Sequence, residues 1–194
     1  MSVHKIPDQI FLEEKDIVYI GPHIIETYIL KKRNTNLERL VYAGAKKFIE
    51  ELPKKSYIAI LSSFSILETL QRIAPMWSMS LNSIKKRFLD SLIKTGGENL
   101  IFGFKILKEF EDLDFKNSEN WPSYREIISR VRKLVKEKVI TDIFEGVKVY
   151  PNIYLHLRTA DINYCKAIIT TEPFFLKFQN SFKIINLRNK HHFF

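Results

Sequence analysis

The sequence is short of cysteine and of long apolar runs, and each shortage excludes a class of protein. Among its 194 residues the single cysteine is Cys165, so no disulfide can form within the chain. One cysteine also cannot supply a structural zinc cluster of roughly four nitrogen or sulfur ligands. Its apolar neighbours favour a small core residue. No segment approaches the roughly 18 apolar residues of a membrane span, and residues 1–16 contain no signal-peptide run. These features predict a soluble, cytoplasmic protein.

Acidic residues are also few. The chain has 22 Asp and Glu but 31 Lys and Arg, which gives a formal net charge of +9. Clustered basic side chains favour polyanionic partners, since they release counterions when they neutralise phosphates. A genome biased toward lysine, isoleucine and asparagine would give the same excess without any such partner. The remaining composition, 45% hydrophobic and 27% charged, is typical of a folded domain.

Alternating strand and helix patterns predict a single α/β domain over residues 1–194. Apolar runs typical of buried strands occupy residues 16–20, 57–61, 147–150, 167–170 and 182–187. Amphipathic helices are expected at about residues 22–30, 36–52 (capped by Asn36), 63–73 and 151–164. Strands separated by helices pair in parallel through crossovers, which predicts a three-layer α/β/α sandwich with a short, mostly parallel sheet.

Residues 75–146 are predicted to be an inserted helical region. Helices are expected at about residues 81–94, 100–111 and 124–138, with an exposed loop at residues 112–122. The third helix combines an apolar stripe with a basic face, which includes Arg130, Arg132, Lys133 and Lys136. Such a face can bind phosphates, or it can be an ordinary solvated surface.

Four motifs at the predicted strand and helix ends resemble those of the PIN-domain family of nucleases. The family's Asp-Thr-Asn-like turn after the first strand corresponds to residues 20–23, Ile-Gly-Pro-His. Its Ser-x-x-x-x-Glu-Leu motif resembles residues 63–70, and its Asp-Ala-x-His-x-x-x-Ala helix resembles residues 152–160. Its Thr-Asn-Asp-x-x-Phe motif resembles residues 170–175, Thr-Thr-Glu-Pro-Phe-Phe. The resemblance implies a sheet between helices and an acidic pocket that cleaves phosphodiester bonds.

The acidic pocket implied by the resemblance is incomplete in this chain. Two-metal hydrolysis uses several carboxylates to hold Mg²⁺ or Mn²⁺. Gly21 stands where the family has its first Asp, and Ile153 stands where it has another, unless a one-residue shift places Asn152 there. Glu68 occupies a matching position and Glu172 stands where Asp is usual. Asp161 and Glu26 could be recruited only by a rebuilt pocket.

Each remaining candidate also has a structural explanation. Ser65-Ile66-Leu67-Glu68 fits a capping box, and Glu172 suits the positive end of a helix dipole. The apolar neighbours of His156 favour a hydrogen-bonded packing residue over a catalytic base. His23 fits either a ligand contact or a turn cap.

The sequence predicts a degenerate PIN-like domain that binds nucleic acid, RNA rather than DNA, or a protein partner, with little or no nuclease activity. Its remnant site would contain Glu68 and Glu172 beside His23, Asn152 and His156, with no metal or weakly bound Mg²⁺ or Mn²⁺. One alternative is an active Mg²⁺- or Mn²⁺-dependent endoribonuclease resembling toxin–antitoxin toxins, with Asp161 as a further metal ligand. A second alternative is a non-enzymatic protein that keeps the fold in order to dimerise.

Overall fold

The computed structural model describes residues 16–31, 33–77, 94–95, 97, 100–103, 123–136, 150–179 and 182–188. These residues contain five strands in one sheet: β1 (Ile17–Ile20), β2 (Ile58–Ser62), β3 (Leu100–Gly103), β4 (Ala167–Thr170) and β5 (Lys183–Asn186). The strands are ordered β3-β2-β1-β4-β5, and every neighbouring pair is parallel. The predicted α/β class with a parallel sheet is therefore confirmed.

Helices cover both faces of this sheet. The described residues include α1 (Pro22–Leu30), α2 (Asn36–Glu51), α3 (Ser63–Trp77), α4 (Tyr124–Lys136) and α5 (Pro151–Ile162), and two 3-10 helices, Leu52–Lys54 and Pro173–Phe178. Across the described ranges, no helix combines the length and the apolar character that a membrane crossing requires.

The N-cap of helix α2 lies one residue before the expected cap, Asn36. Thr35 is the N-cap, because its hydroxyl accepts a hydrogen bond from the Glu38 amide at 3.1 Å while the Glu38 carboxylate accepts one from the Thr35 amide at 3.0 Å. This reciprocal capping box satisfies two amides that the helix leaves free. Asn36 is instead the first residue of the helix.

Alternation along the strands divides the core between the two faces of the sheet, because successive side chains of a strand point to opposite faces. Val18 and Ile20 of β1 pack with α1, α2 and α3, whereas Tyr19 between them packs with α5 and the second 3-10 helix. Ile168 and Ile169 of β4 divide in the same way. Burial on both faces explains why these strands read as continuous apolar runs.

Helix α4 adds to the side of the molecule formed by α3 and α5. Its Ile127 and Val131 are buried against Phe64 of α3 and against Tyr154 and Leu155 of α5. The predicted helix at residues 124–138 is thus confirmed over Tyr124–Lys136.

The helix predicted at residues 100–111 is wrong at its start, because Leu100–Gly103 forms strand β3. Leu-Ile-Phe-Gly is too short an apolar run for its period to distinguish strand from helix. The segment forms a strand because it pairs with the edge of β2, with Ala59 opposite Leu100. The remainder of that prediction lies outside the described residues, as do the loop at 112–122, strand residues 147–149 and all but Lys94 of the helix at 81–94. Tyr150 is the N-cap of α5 and not part of a strand.

The strand order reverses between β1 and β4. The chain moves outward from β1 to β2 and β3, then returns to place β4 on the other side of β1. In parallel sheets this switch point opens a crevice beyond the carboxyl ends of the two strands, where ligands bind. Gly21 follows β1 and Thr171-Glu172 follows β4, so these residues lie at that crevice.

The carboxyl end of α5 is followed by a tyrosine, Tyr164, whose backbone conformation is unusual. Tyr164 has a φ of 55°, in the left-handed region, and its amide donates to the Asp161 carbonyl at 2.9 Å. The Cys165 amide donates to the Ala160 carbonyl at 2.9 Å, which completes a Schellman motif whose left-handed position usually holds glycine. Cys165 is half-buried against the core below, and burial raises the pKa of its thiol to about 12.

We expect Tyr164→Gly to stabilise the fold by roughly 0.5–1 kcal/mol. The left-handed conformation costs an L-residue about 1–2 kcal/mol, and glycine avoids this cost. Part of the gain is lost because glycine gives the unfolded chain more conformational freedom. Tyr164 is 83% exposed, so little packing is lost. Urea unfolding measures the change. Tyr164→Ala is the control, since alanine keeps a Cβ and should show no gain. Equal effects of the two substitutions would contradict backbone strain as the cause.

Candidate functional site

Gly21 closes the crevice between β1 and β4. Its amide donates to the Ile169 carbonyl at 2.9 Å. A Cβ at this position would lie 3.2 Å from that carbonyl oxygen and 3.4 Å from the Thr170 hydroxyl. The backbone φ of −69° suits any residue, so close approach and not conformation favours glycine here. A side chain at Gly21 would therefore press against the neighbouring strand.

Glu68 is the centre of a buried network at the start of α3. Glu68 is only 2% exposed, and its carboxylate oxygen Oε2 lies 2.7 Å from His156 Nε2. Its Oε1 accepts hydrogen bonds from the Arg72 guanidinium at 2.7 Å and from the Asn152 amide at 3.2 Å. Both oxygens thus have protein donors. Tyr124, at the start of α4, interacts with the same carboxylate.

The protonation of Glu68 is set by these donors. Burial alone would raise the pKa of the carboxyl group, but the hydrogen bond and charge of His156, the charge of Arg72 and the Asn152 amide outweigh it and lower the pKa to about 2. Burial and the adjacent Glu68 raise the pKa of Tyr124 to about 12. The network therefore holds a permanently ionised carboxylate at neutral pH.

His156 connects this carboxylate to the sheet. Its Nδ1 lies 2.7 Å from the Tyr19 hydroxyl, which in turn lies 2.8 Å from Ser62 Oγ and 2.9 Å from Ser65 Oγ. Tyr19 is the one polar side chain of β1, and burial raises its pKa. The fully buried, hydrogen-bonded position of His156 agrees with its interpretation as a packing residue.

Ser65, His156 and Glu68 have the order of a nucleophile, a base and an orienting acid, but they are not placed for that chemistry. Ser65 Oγ lies 3.5 Å from His156 Nδ1, beyond the reach of a nucleophile paired with its base, and it donates to the Ile20 carbonyl instead. Ser65 and His156 have no exposed surface. A substrate cannot reach the hydroxyl, so the arrangement is structural.

A second group lies at the rim of the crevice and is partly exposed. His23 Nε2 lies 2.9 Å from Glu172 Oε1, and His23 Nδ1 lies 3.5 Å from Glu26 Oε2. Arg72 joins this group to the buried network, since its guanidinium contacts His23 and lies 3.3 Å from Glu26 Oε2 while binding Glu68. The hydrogen bond from His23 lowers the pKa of Glu172, and the charges of His23 and Arg72 add to this effect.

One structural explanation from the sequence is corrected. Helix α3 begins at Ser63, and its first turn is capped by Ser62, whose Oγ accepts the Ser65 amide at 3.0 Å. Ser65 is already inside the helix, so the Ser65–Glu68 capping box is wrong. Glu172 is the N-cap residue of the second 3-10 helix, the end at which a helix dipole favours an acid. Its side chain makes no cap hydrogen bond, and its carboxylate lies 2.9 Å from His23.

The sequence resemblance places its expected Asp at either Asn152 or Ile153, and these two side chains have different surroundings. Asn152 faces Glu68, whereas Ile153 is buried in the apolar cluster around Tyr19. Asp161 lies on another face of α5, half-exposed, with its carboxylate 2.6 Å from Arg158. Within the described part of the chain, no three His, Cys, Asp or Glu side chains are grouped so that they could hold a metal ion.

The basic face of α4 lies beside the network, and the charge of Arg132 acts on Tyr124. Tyr124 stacks on Phe64 at 5.6 Å between ring centroids, which anchors the helix start over α3. Arg125, Arg132 and Lys133 are exposed and Arg130 is half-exposed. The side chain of Lys136 lies outside the described residues.

Three members of the network were not predicted as site residues: Tyr19, Arg72 and Tyr124. Arg72 carried a detectable signal, because it follows Glu68 by four residues and such pairs meet on one helix face. The only sequence signal for Tyr19 was its hydroxyl group in an otherwise apolar strand. Tyr124 carried none, since its contact with Glu68 spans segments far apart in the chain.

No protein-family model matches this chain, and no curated protein matches it either.

We expect Glu68→Gln to lose about 3 kcal/mol of unfolding free energy at neutral pH, since the lowering of the Glu68 pKa from 4.5 to about 2 is worth about 1.4 kcal/mol per tenfold change in acidity. A depressed pKa stabilises the folded state above about pH 4.5, and this contribution disappears as the pH falls toward 2. The difference between wild type and variant should shrink by about 1.4 kcal/mol per pH unit below pH 4.5.

Glu50→Gln is the matched control for this measurement. Glu50 lies on the surface of α2, 3.8 Å from Lys46. An exposed pair of this kind contributes about 0.3–0.5 kcal/mol. If Glu68→Gln behaved like Glu50→Gln in denaturant titrations from pH 7 to pH 3, the buried network would not stabilise the fold as argued.

Proposed function

We propose that this chain is a PIN-like, cytoplasmic RNA-binding domain in which an internal ion-pair network replaces the metal site, so that RNA is bound without being cleaved. The observation that carries the proposal is that the hydrogen bonds of the Glu68 carboxylate are already made within the protein. Each of its oxygens accepts from protein donors, and two of those donors are Arg72 and His156.

Metal binding would have to break this network. A divalent cation at Glu68 would displace Arg72 or His156, and a displaced His156 would lose its carboxylate partner in a site with no access to water. Breaking a buried pair costs about 3–5 kcal/mol. The Arg72 guanidinium would also repel a cation at the rim, where it already lies between Glu26 and Glu68. The chain's own cations thus neutralise the acids that a nuclease would use for metals.

RNA binding is supported by charge. The chain carries a formal net charge of +9, and α4 presents Arg125 and Arg132 seven residues apart, two helical turns along one face. Helix α4 starts beside the network, because Tyr124 interacts with Glu68. A phosphate backbone lying along α4 would therefore lead toward the crevice, gaining affinity by counterion release.

We expect a fluorescein-labelled single-stranded RNA to bind with an affinity that falls steeply with salt. The double substitution Arg125→Glu and Arg132→Glu should weaken binding on the order of tenfold and lower the slope of log K against log salt by about 1.4, because each phosphate contact with a single strand contributes about 0.7. Fluorescence anisotropy at several salt concentrations measures both quantities.

Lys46→Glu with Lys54→Glu is the matched control, since it changes the net charge equally at exposed positions on α2 and the 3-10 helix that follows it. Its salt slope should stay that of wild type. If both double variants weakened binding equally, net charge and not the α4 face would be responsible. Absence of any binding by wild type would exclude the proposed function.

We expect the same RNA to remain intact during long incubation with Mg²⁺ or Mn²⁺, and neither ion to raise the melting temperature, because a ligand stabilises a fold only by binding its folded state. Cleavage that requires manganese and disappears in Glu172→Gln would establish the active endoribonuclease instead. The Glu172 substitution is preferred for this assay because its side chain is 29% exposed and its loss should leave the buried network intact.

A further inference from the structure

An aromatic pair lies exposed beside the crevice. Tyr150 is 56% exposed, although most large apolar side chains of the described residues are buried. Its ring meets the ring of Phe174 edge to face, with 5.5 Å between centroids. Phe174 is held from below by Phe178, at 5.8 Å. The result is a partly buried ring that supports an exposed one.

Two short connections fix this pair next to the charged groups. Tyr150 precedes α5 by one residue, and Asn152 in the first turn of that helix donates to Glu68. Phe174 follows Glu172 by two residues, and Glu172 binds His23. The aromatic pair therefore lies at the carboxyl end of the sheet, on the side of the rim formed by α5 and the segment after β4.

Positive charge accompanies the rings. The Lys177 ammonium lies 4.5 Å from the centroid of the Phe174 ring, in a cation–π contact. Arg188, just beyond β5, is close enough to Glu172 to lower its pKa by its charge. Exposed aromatic rings with adjacent cations are the combination by which proteins bind single-stranded nucleic acids, because bases stack on the rings while the cations contact the phosphates.

We propose that Tyr150, supported by Phe174, stacks on a base of single-stranded RNA, and that Lys177 contacts a phosphate of the same strand. This inference rests on the proposed RNA binding and adds to it a base-contacting site separate from the phosphate-contacting face of α4. Stacking is tolerant of sequence because every base has an aromatic face. The site therefore binds unpaired nucleotides in preference to a duplex, whose bases are already stacked.

The experiment uses the full chain and a single-stranded RNA that carries 2-aminopurine, whose fluorescence is quenched on stacking. Tyr150→Ala should weaken binding about tenfold and remove the quenching, since the base loses the ring on which it stacks. The salt slope should not change, because no phosphate contact is lost. Tyr150→Phe should restore affinity and quenching. The Tyr150 side chain makes no cap hydrogen bond, so the fold should tolerate both substitutions.

Tyr164→Ala is the matched control. Like Tyr150, Tyr164 is a strongly exposed tyrosine, but it follows the other end of α5, a helix about 18 Å long. Its removal should leave binding and quenching as in wild type. Lys177→Gln should instead reduce the salt slope by about 0.7.

The outcomes separate the two proposals. Wild-type binding with an unaltered Tyr150→Ala variant would overturn the stacking site while leaving RNA binding intact, whereas no wild-type binding would remove both. Equal losses in Tyr150→Ala and Tyr164→Ala would also overturn it. If Tyr150→Ala disrupted self-association in sedimentation analysis and left RNA affinity unchanged, the aromatic pair would be a protein interface and the stacking proposal would be wrong.

Discussion

The contact between Glu68 and His156 is the interaction on which the rest of the site depends. It joins α3 to α5 inside the protein, and Tyr19 extends it into β1. Placing an ionised carboxylate almost out of contact with water is unfavourable unless donors surround it. His156, Arg72 and Asn152 supply those donors from two helices, so the relative positions of α3 and α5 are fixed by polar geometry as well as by apolar packing.

This arrangement changes what the crevice can do. A parallel sheet with its switch point between β1 and β4 presents a binding crevice whatever residues line it. Here the acids that line it are matched by guanidinium and imidazole groups, and Gly21 brings β4 too close for an easily placed side chain. Solvent reaches the site at its rim, where Arg72 is partly exposed and Tyr150 is exposed.

Apolar periodicity was sufficient to predict β1, β2, β4 and β5 and the helices between them, because burial on one face or two imposes a pattern on neighbouring residues. It failed at Leu100–Gly103, where pairing with β2 determined the structure. The predicted capping box failed for a related reason: Ser62 and Ser65 both precede suitable residues, and only the point at which β2 ends selects Ser62 as the cap. The fold class was therefore predictable, while element boundaries depended on neighbouring strands.

By itself, the sequence determined the α/β class and the excess of positive charge, since composition and local spacing are properties of the chain alone. Only the tertiary structure decided that Asn152 and not Ile153 faces Glu68, that His23 binds Glu172, and that Tyr150 meets Phe174. Each of these contacts joins residues at least 24 positions apart in the chain or depends on the exact rotation of a helix. Distance in the chain leaves no periodic signal, so packing of the helices on the sheet was needed to turn scattered residues into a site.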